Sequence, residues 1–180
     1  MTSEVLAALI GAMVGGILAI VAGVTAAYLA YTFDKKRVAE EKREKWLEVA
    51  LNWKSNGGRD SLRRADLQSA DLRGVDLRNQ GKGRVDLSYA NLTMANLADA
   101  VLDGADLSGA DLSHSDLRNS RLEEARLIRA ILVGANLSGT RLGAAVMGGA
   151  ELTGAKFNKW TIWPEGFDPE AAGAIRTHDA

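Results

Sequence analysis

The most regular feature of the chain is a leucine that recurs at every fifth position between residues 61 and 158. From Leu67 onward a small residue, most often alanine, stands two positions before each leucine, and most of the other positions are polar. Met147 and Phe157 take two of the leucine positions, and Lys82 interrupts the series. The leucines are Leu62, Leu67, Leu72, Leu77, Leu87, Leu92, Leu97, Leu102, Leu107, Leu112, Leu117, Leu122, Leu127, Leu132, Leu137, Leu142 and Leu152. A fixed repeat of this kind decides the architecture.

A period of five fits neither a helix nor a strand. An α-helix turns about 100° per residue, so every fifth residue would spread around it instead of forming one face. In a strand, alternate members of the series would point to opposite faces. The pattern predicts a chain that turns a corner every five residues, so that four repeats close a square coil and successive coils stack at about 4.8 Å. The leucines and small residues then point inward.

Many repeats read alanine, then aspartate or asparagine, then leucine. They begin at Ala65, Ala70, Ala90, Ala95, Ala105, Ala110 and Ala135. This pattern resembles the pentapeptide-repeat family, whose consensus is A(D/N)LXX. The resemblance implies an all-β solenoid over residues 59–159, namely a right-handed quadrilateral β-helix of about five coils.

Residues 5–33 contain no charged side chain, and about 20 apolar residues suffice to cross a bilayer. A cleaved signal peptide is the competing interpretation, but it needs a basic start and an apolar core of only ~7–15 residues. The chain has Glu4 and no lysine or arginine before the run. We therefore predict that residues 1–33 form a transmembrane anchor that contacts membrane lipid through residues 5–33.

Basic residues follow this run and none precedes it, which predicts a single pass with the N-terminus outside and the repeats in the cytoplasm. They are Lys35, Lys36, Arg37, Lys42, Arg43 and Lys45. Tyr28, Tyr31 and Phe33 stand where an interfacial aromatic belt is expected.

Small residues recur every four positions inside the run, at Gly11, Gly15, Ala19 and Gly23. Such a ridge lets two membrane helices approach closely, which favours a homodimer. The alternative is that small residues are simply common in membrane helices.

Residues 34–58 predict a charged juxtamembrane helix that ends in a glycine turn. Trp46, Val49, Ala50 and Trp53 form one helical stripe, which indicates a cap that covers the open edge of the first coil. The alternative is a helix that lies on anionic lipid through its basic residues.

The interruption at residues 78–84 leaves Leu77 and Leu87 ten apart, so we predict that a loop around Lys82 replaces one repeat. This loop is a candidate contact site because it leaves the regular surface. Its Gly-Lys-Gly sequence lacks the spacing of a phosphate-binding loop.

If each coil contains 20 residues, outward residues that are 20 positions apart lie above one another in a column. One predicted column holds Asp66, Asp86, Asp106 and Arg126, and another holds Asp76, Asn96, Asp116 and Asn136. Between Arg84 and Arg118 the chain has no lysine or arginine, which suggests an acidic stripe that docks a basic partner. Its candidate residues are Asp99, Asp103, Asp106, Asp111 and Asp116. The alternative is a solvated face that follows from the consensus.

Candidate chemistry is sparse. The chain has no cysteine, and His114 and His178 have no metal-ligand spacing. The outward serines have no histidine beside them to activate them. We predict no catalytic residue, no metal and no cofactor, and therefore a protein that is not an enzyme.

Residues 160–180 predict a C-terminal cap and tail. Trp160, Trp163 and Phe167 supply bulky apolar cover, and Asp168 with Pro169 is typical of the start of a short helix.

Charge limits the remaining functions, since 22 basic and 23 acidic residues give a net charge of −1. We predict a non-catalytic membrane-anchored protein whose solenoid offers a rigid surface for protein–protein interaction. A self-assembling structural membrane protein is the alternative. A less favoured alternative comes from the family resemblance, since some pentapeptide-repeat proteins mimic DNA and bind a type II topoisomerase, but that role favours a strongly acidic, soluble rod. No nucleic-acid partner is expected, and the protein partner stays unknown.

Overall fold

The structure, a computed structural model, describes residues 3–53, 61–78 and 84–177, and in the first helix it describes side chains at residue 25 and from residue 28 onward. The elements in chain order are α1 (Ser3–Leu51), β1 (Lys156–Phe157) and β2 (Ile175–Arg176). The chain divides into two compact units, Met1–Lys42 and Arg43–Ala180.

Helix α1 is continuous, whereas the sequence predicts an anchor and a separate juxtamembrane helix. Residues 34–51 contain no glycine or proline that would end a helix. Most of the predicted anchor, with its ridge of small residues, lies outside the residues whose side chains are described. Among the residues that the structure does describe, no helix is long and apolar enough to span a bilayer.

The last turns of α1 form the predicted N-terminal cap. Ala50 is fully buried and Trp53 is 2% exposed, and both belong to the hydrophobic core of the repeats. Trp46, Leu47 and Val49 pack half-buried against the same core. Their spacing places them on one side of the helix. The prediction of a capping stripe is confirmed.

The repeats form a solenoid in which parallel bridges join successive coils in four columns, one for each side. The first column is Asp66, Asn91, Asp111, Ile131 and Glu151, with one residue from each of five coils. The second is Asp71, Asn96, Asp116, Asn136 and Lys156, the third is Asp76, Val101, Arg121, Arg141 and Ile162, and the fourth is Asp86, Asp106, Arg126 and Val146. The predicted solenoid is confirmed, and its right hand stays a prediction.

The first coil is longer than the others. Asp66 pairs with Asn91, 91 − 66 = 25 positions later, whereas Asp86 pairs with Asp106, 106 − 86 = 20 positions later. The predicted column that places Asp66 above Asp86 is therefore wrong. Five extra residues keep the inward leucines in phase but move each outward residue of the first coil to the next side.

The same shift corrects the second predicted column, because Asp76 lies above Val101 and not above Asn96. The interruption is thus an addition to the coil and does not replace a repeat. Residues 79–83, including the candidate contact residue Lys82, lie outside the described residues.

Inward positions are filled without gaps in the pattern. The leucines of the repeats are at most 1% exposed, and each buried leucine side chain contributes about 1.5–3 kcal/mol to stability. Ser115, Ser120 and Thr140 occupy small positions and are buried as well. Their hydroxyls donate to backbone carbonyls, at 2.8 Å to Leu112, 2.8 Å to Leu117 and 2.7 Å to Leu117 respectively. These bonds satisfy the buried hydroxyls.

An aromatic group closes the C-terminal end. Trp163 meets Phe157 edge-on at 5.5 Å between ring centroids and stacks on Phe167 at 5.4 Å. Strand β2 then pairs in parallel with β1. The predicted cap is confirmed for these rings, but Trp160 is 66% exposed and covers nothing in the core. Lys159 lies over its ring instead.

The short helix predicted at Asp168 is absent from the described C-terminal segment, which has a single turn there. Asp168 does accept hydrogen bonds from the backbone N–H groups of Glu170 and Ala171, at 3.1 and 3.0 Å. Gly173, with φ +90°, then redirects the chain into β2, so the helix cannot continue.

Candidate interaction surface

Many repeats carry an aspartate or asparagine whose side chain accepts a hydrogen bond from the backbone two residues later. The side chain of Asp66 accepts a hydrogen bond from the backbone N–H of Gln68 at 3.3 Å, and Asp111 accepts one from Ser113 at 2.9 Å. A bond of this kind fixes the start of a turn. The recurrence of carboxylates therefore follows from folding and does not by itself indicate a partner.

The structure does not bring the predicted acidic residues together. Because a coil has 20 residues, a run of that length passes around all four sides. Asp111 lies in the first column, Asp116 in the second and Asp106 in the fourth. Asp99 and Asp103 lie in the turns that follow the second and the third column. The prediction of one acidic stripe is wrong. A role for any single one of these residues in binding stays a prediction.

Most of these carboxylates are also paired with arginines. The pairs are Asp99 with Arg73 at 3.3 Å, Asp103 with Arg121 at 2.6 Å, Asp106 with Arg126 at 3.7 Å and Asp116 with Arg118 at 2.6 Å. Exposed pairs stabilise a fold only slightly. They do cancel charge, so a basic partner would have to compete with the arginines.

Hydrogen bonds shift two of the carboxyl groups. The guanidinium of Arg118 lowers the pKa of Asp116, and this effect exceeds the opposing effect of burial. For Asp111, burial acts to raise the pKa, but the hydrogen bonds from Ser113 and Thr93 outweigh it, so the pKa falls below its ordinary value. Both side chains are therefore ionised at neutral pH.

The turns carry the other outward side chains. In the first described turn the N–H of Ala65 donates to the carbonyl of Leu62 at 3.0 Å, and Arg64 has φ +56°. Tyr89 and Arg129 adopt the same left-handed conformation, with φ of +59° and +56°. A type II turn needs this conformation at its third residue, where glycine fits best.

One corner of the solenoid carries arginines without carboxylates, and we call it the arginine corner. It consists of the turn residues 63–64, 88–89, 108–109, 128–129 and 148–149, which successive backbone bonds align from coil to coil. Its charged and aromatic side chains are Arg63, Arg64, Tyr89 and Arg129. None of its ten turn residues is acidic.

Tyr89 is the centre of this corner and is 57% exposed. The guanidinium carbons of Arg63 and Arg64 lie 5.7 and 5.9 Å from the centroid of its ring, within the range of a cation–π contact. The ring itself lies across Gly109, where a Cβ would come within 2.7 Å of a ring carbon. The absence of a side chain at Gly109 thus leaves room for the ring of Tyr89.

The arginines of this corner differ from most other arginines of the repeats. Arg73, Arg78, Arg118, Arg121, Arg126 and Arg141 all form ion pairs. Across the described ranges, by contrast, no carboxylate pairs with Arg63, Arg64 or Arg129. Arg84, at a different corner, shares this property. The arginine corner therefore offers three guanidinium groups to an outside anion.

Sequence reasoning missed this corner because it stacked residues by twenties. That spacing places Arg64 above Arg84, whereas the longer first coil places it above Tyr89. The adjacent Arg63 and Arg64 are visible in the sequence. Their relation to Tyr89 requires the pairing offset of the first coil.

Two other polar groups that the structure describes are engaged in local contacts. Ser88 is 8% exposed and donates to Asp86 at 2.6 Å, while the ring of His114 lies against Gly134. In the part of the chain that the structure describes, no group of three histidine, aspartate or glutamate residues is placed to hold a metal.

Comparisons with known proteins agree with the repeat pattern. A family model for pentapeptide repeats matches eight copies over residues 61–79, 83–119 and 120–158. Among solved structures, the chain is similar to a pentapeptide repeat protein from the cyanobacterium Cyanothece 51142, with 35% identity and a TM-score of 0.45 over 56% of this chain and 61% of that one. It therefore spans less than two thirds of that protein.

Two further structures are similar to the chain. A pentapeptide repeat protein from Nostoc Pcc 7120 is 37% identical, with a TM-score of 0.38 over 71% of this chain and 93% of that one. One from the thylakoid lumen of Arabidopsis thaliana is 34% identical, with a TM-score of 0.30 over 58% and 75% of the two chains. A search of curated proteins found no match.

Proposed function

Because the chain belongs to the pentapeptide-repeat family, we propose that it is a non-catalytic protein, anchored in a membrane, whose solenoid presents a rigid surface to a protein partner. The observation that carries this proposal is the order of the outward side chains. A leucine core fixes the backbone, and parallel bridges hold outward residues in columns at about 4.8 Å intervals. A surface that is already ordered loses little entropy when a partner binds.

The proposed anchor has two supports. The uncharged run of residues 5–33 exceeds the length needed to cross a bilayer. Near its end, Tyr28, Tyr31 and Phe33 are 67%, 64% and 69% exposed, which suits side chains that meet the interfacial region of a membrane. The basic residues that follow favour a cytoplasmic repeat domain.

The absence of cysteine makes the orientation easy to test. A single cysteine introduced at Thr2 or at Ala180 can be labelled in intact cells with a reagent that does not cross membranes. We expect labelling only at position 2, and extraction of the protein by detergent but not by alkaline wash. Labelling at position 180 alone would reverse the orientation, and release by alkaline wash would contradict the anchor.

The partner proposal is tested by chemical crosslinking of the full chain in its native membrane, followed by mass spectrometry. A foreign protein that is captured reproducibly through residues of the solenoid is the expected result. Capture only of other copies of the chain would contradict it and would favour the self-assembling alternative, with the ridge of small residues in α1 as the first region to mutate.

The DNA-mimic alternative has little support in the surface. Such a mimic needs a continuous negative face, but arginines pair with four of the carboxylates that form the predicted stripe. The arginine corner adds three cations that have no carboxylate partner among the described residues.

A further inference from the structure

We propose that the arginine corner binds an acidic, extended segment of a protein partner, which lies along the solenoid axis. The inference rests on the proposed function, since it names the surface and the partner class of the same interaction. Its ligand carries carboxylates that meet Arg63, Arg64 and Arg129.

Charge is the first argument. Six other arginines of the repeats already have carboxylate partners, whereas the three of the corner have none among the described residues. Ion pairs formed across an interface give specificity and speed association. An arginine side chain can also bind a carboxylate through two parallel hydrogen bonds.

The spacing of the cations is the second argument. Arg64 and Arg129 stand three coils apart in one column, which is about 14 Å at ~4.8 Å per coil. An extended chain covers about 3.3 Å per residue and points every second side chain to the same face. Acidic residues four positions apart therefore reach both ends of the corner, and the residue midway between them lies over Tyr89 and Gly109.

The exposure and the surroundings of Tyr89 also support the proposal. Tyrosine and arginine are enriched among the residues that dominate binding energy at protein interfaces. Here an exposed tyrosine is seated on Gly109 and flanked by two guanidinium groups. It also occupies a left-handed position, where the backbone favours glycine. The side chain is therefore not explained by the conformation of its turn.

The flanks of the corner favour a narrow ligand. Asp66 and Asp111 lie in the column on one side, and Asp86 lies in the column on the other. A membrane surface or a nucleic-acid backbone would extend over these carboxylates and be repelled by them. A single extended peptide strand fits between the two columns.

The test uses the full chain in uncharged detergent and a fluorescent decapeptide with two glutamates four residues apart and a valine midway. A matched peptide has glutamine in place of glutamate. Arg64→Gly, Tyr89→Gly and Arg129→Gly remove the binding side chains, and each retains a residue that suits a positive φ. Met94→Gly is the control, because Met94 is 59% exposed at φ +59° on the neighbouring corner.

We expect the glutamate peptide to bind and the glutamine peptide not to bind. Each arginine variant should weaken binding about two- to fivefold, as for exposed ion pairs, and the two together with Arg63→Ala about tenfold or more. Added salt should weaken binding further. Met94→Gly should leave it unchanged, and circular dichroism should show that every variant is folded.

Three results would overturn the assignment. They are equal binding of the two peptides, an equal loss in Met94→Gly, and tighter arginine-dependent binding of an oligothymidylate or of phosphatidylglycerol vesicles. The last of these would show that the ligand of the arginine corner is a nucleic acid or a lipid.

A photo-crosslinking residue placed at Tyr89 or at Met94 in the native membrane separates this inference from the proposed function. Capture through position 89 of a partner segment with spaced acidic residues supports the inference. Capture of a foreign partner only through position 94 contradicts the arginine corner and leaves the proposed function standing. Capture of only the chain's own copies at both positions contradicts the proposed function itself.

Discussion

The inward positions of the solenoid follow the five-residue repeat closely, whereas the residue types at its outward positions vary. Inside, nearly every described repeat contributes a leucine and a small residue, and the leucines are at most 1% exposed. Outside, the first column alone contains aspartate, asparagine, isoleucine and glutamate. Packing of the core therefore requires only that inward residues recur at every fifth position. The arrangement of the surface also depends on how many residues each coil contains.

The first coil shows the consequence. Its five additional residues leave the core intact, yet they decide that Arg64 lies above Tyr89. An insertion of one repeat length can thus rearrange a binding surface without a change in packing. Four predictions test this difference between inside and outside.

The largest effect is expected from Leu107→Asp. Leu107 is fully buried in the middle of the solenoid, and an unpaired carboxylate in an apolar core is very costly. We expect a loss of more than about 4 kcal/mol, enough to unfold the repeats. Thermal denaturation followed by circular dichroism measures it.

Asp111→Ala is the matched control for the outside. It removes the hydrogen bonds that Asp111 accepts from Ser113 and Thr93, so the loss should be no more than about 2 kcal/mol. Similar losses for the two variants would show that inside and outside are assigned incorrectly.

A smaller and local effect is expected from Trp53→Ala in the N-terminal cap. Burial of this side chain is worth about 3–5 kcal/mol, but stability in a repeat protein is the sum of neighbouring contributions. Hydrogen exchange should therefore show loss of protection in the first coil and little change around Leu117. Trp160→Ala, at an exposed side chain, should change neither. Uniform loss of protection would contradict this view of the cap.

A still smaller effect is expected when residues 79–83 are deleted. The first coil then has the same 20-residue length as the coil that follows it, and all its pairings can be kept. We expect a change within about 1 kcal/mol, since loop length alters closure entropy only slowly. Deletion of residues 99–103 is the control, because it shortens a regular coil and should destabilise the fold strongly. Equal losses from both deletions would refute the assignment of the extra length.

The smallest effect concerns acid stability. The pKa of Asp116 is lowered in the folded state, chiefly by its hydrogen bond with Arg118. The stabilisation is therefore complete above the unfolded pKa of about 3.9 and is lost as the pH falls through the lower folded value. Arg118→Gln should flatten the decline of Tm between about pH 5 and pH 2.5. Arg129→Gln, which removes an unpaired arginine, should not. Identical acid profiles for the wild type and Arg118→Gln would contradict the pairing.

The sequence predicts the core well, because Leu107 and the other inward leucines repeat in a phase that only one architecture satisfies. It also predicts the cap from the spacing of Trp46 and Trp53. It cannot predict the columns, since Leu77 and Leu87 stay in phase whether the residues between them replace a repeat or add one. The predicted acidic stripe failed for a different reason, because a run of about 20 residues passes around all four sides of the solenoid. The arginine corner depends on a pairing between coils and could not be found.

The pairing of the first coil is tested most directly by engineered disulfides in a chain that has no cysteine of its own. One variant combines Asp66→Cys with Asn91→Cys, and the other combines Asp66→Cys with Asp86→Cys. Adjacent strands lie at about 4.8 Å, within the Cα separation that a disulfide tolerates. We expect rapid oxidation of the first pair, whose side chains are now 3.0 Å apart between Asn91 Nδ2 and Asp66 Oδ1, and none of the second. A disulfide between positions 66 and 86 would contradict the longer first coil and, with it, the arginine corner.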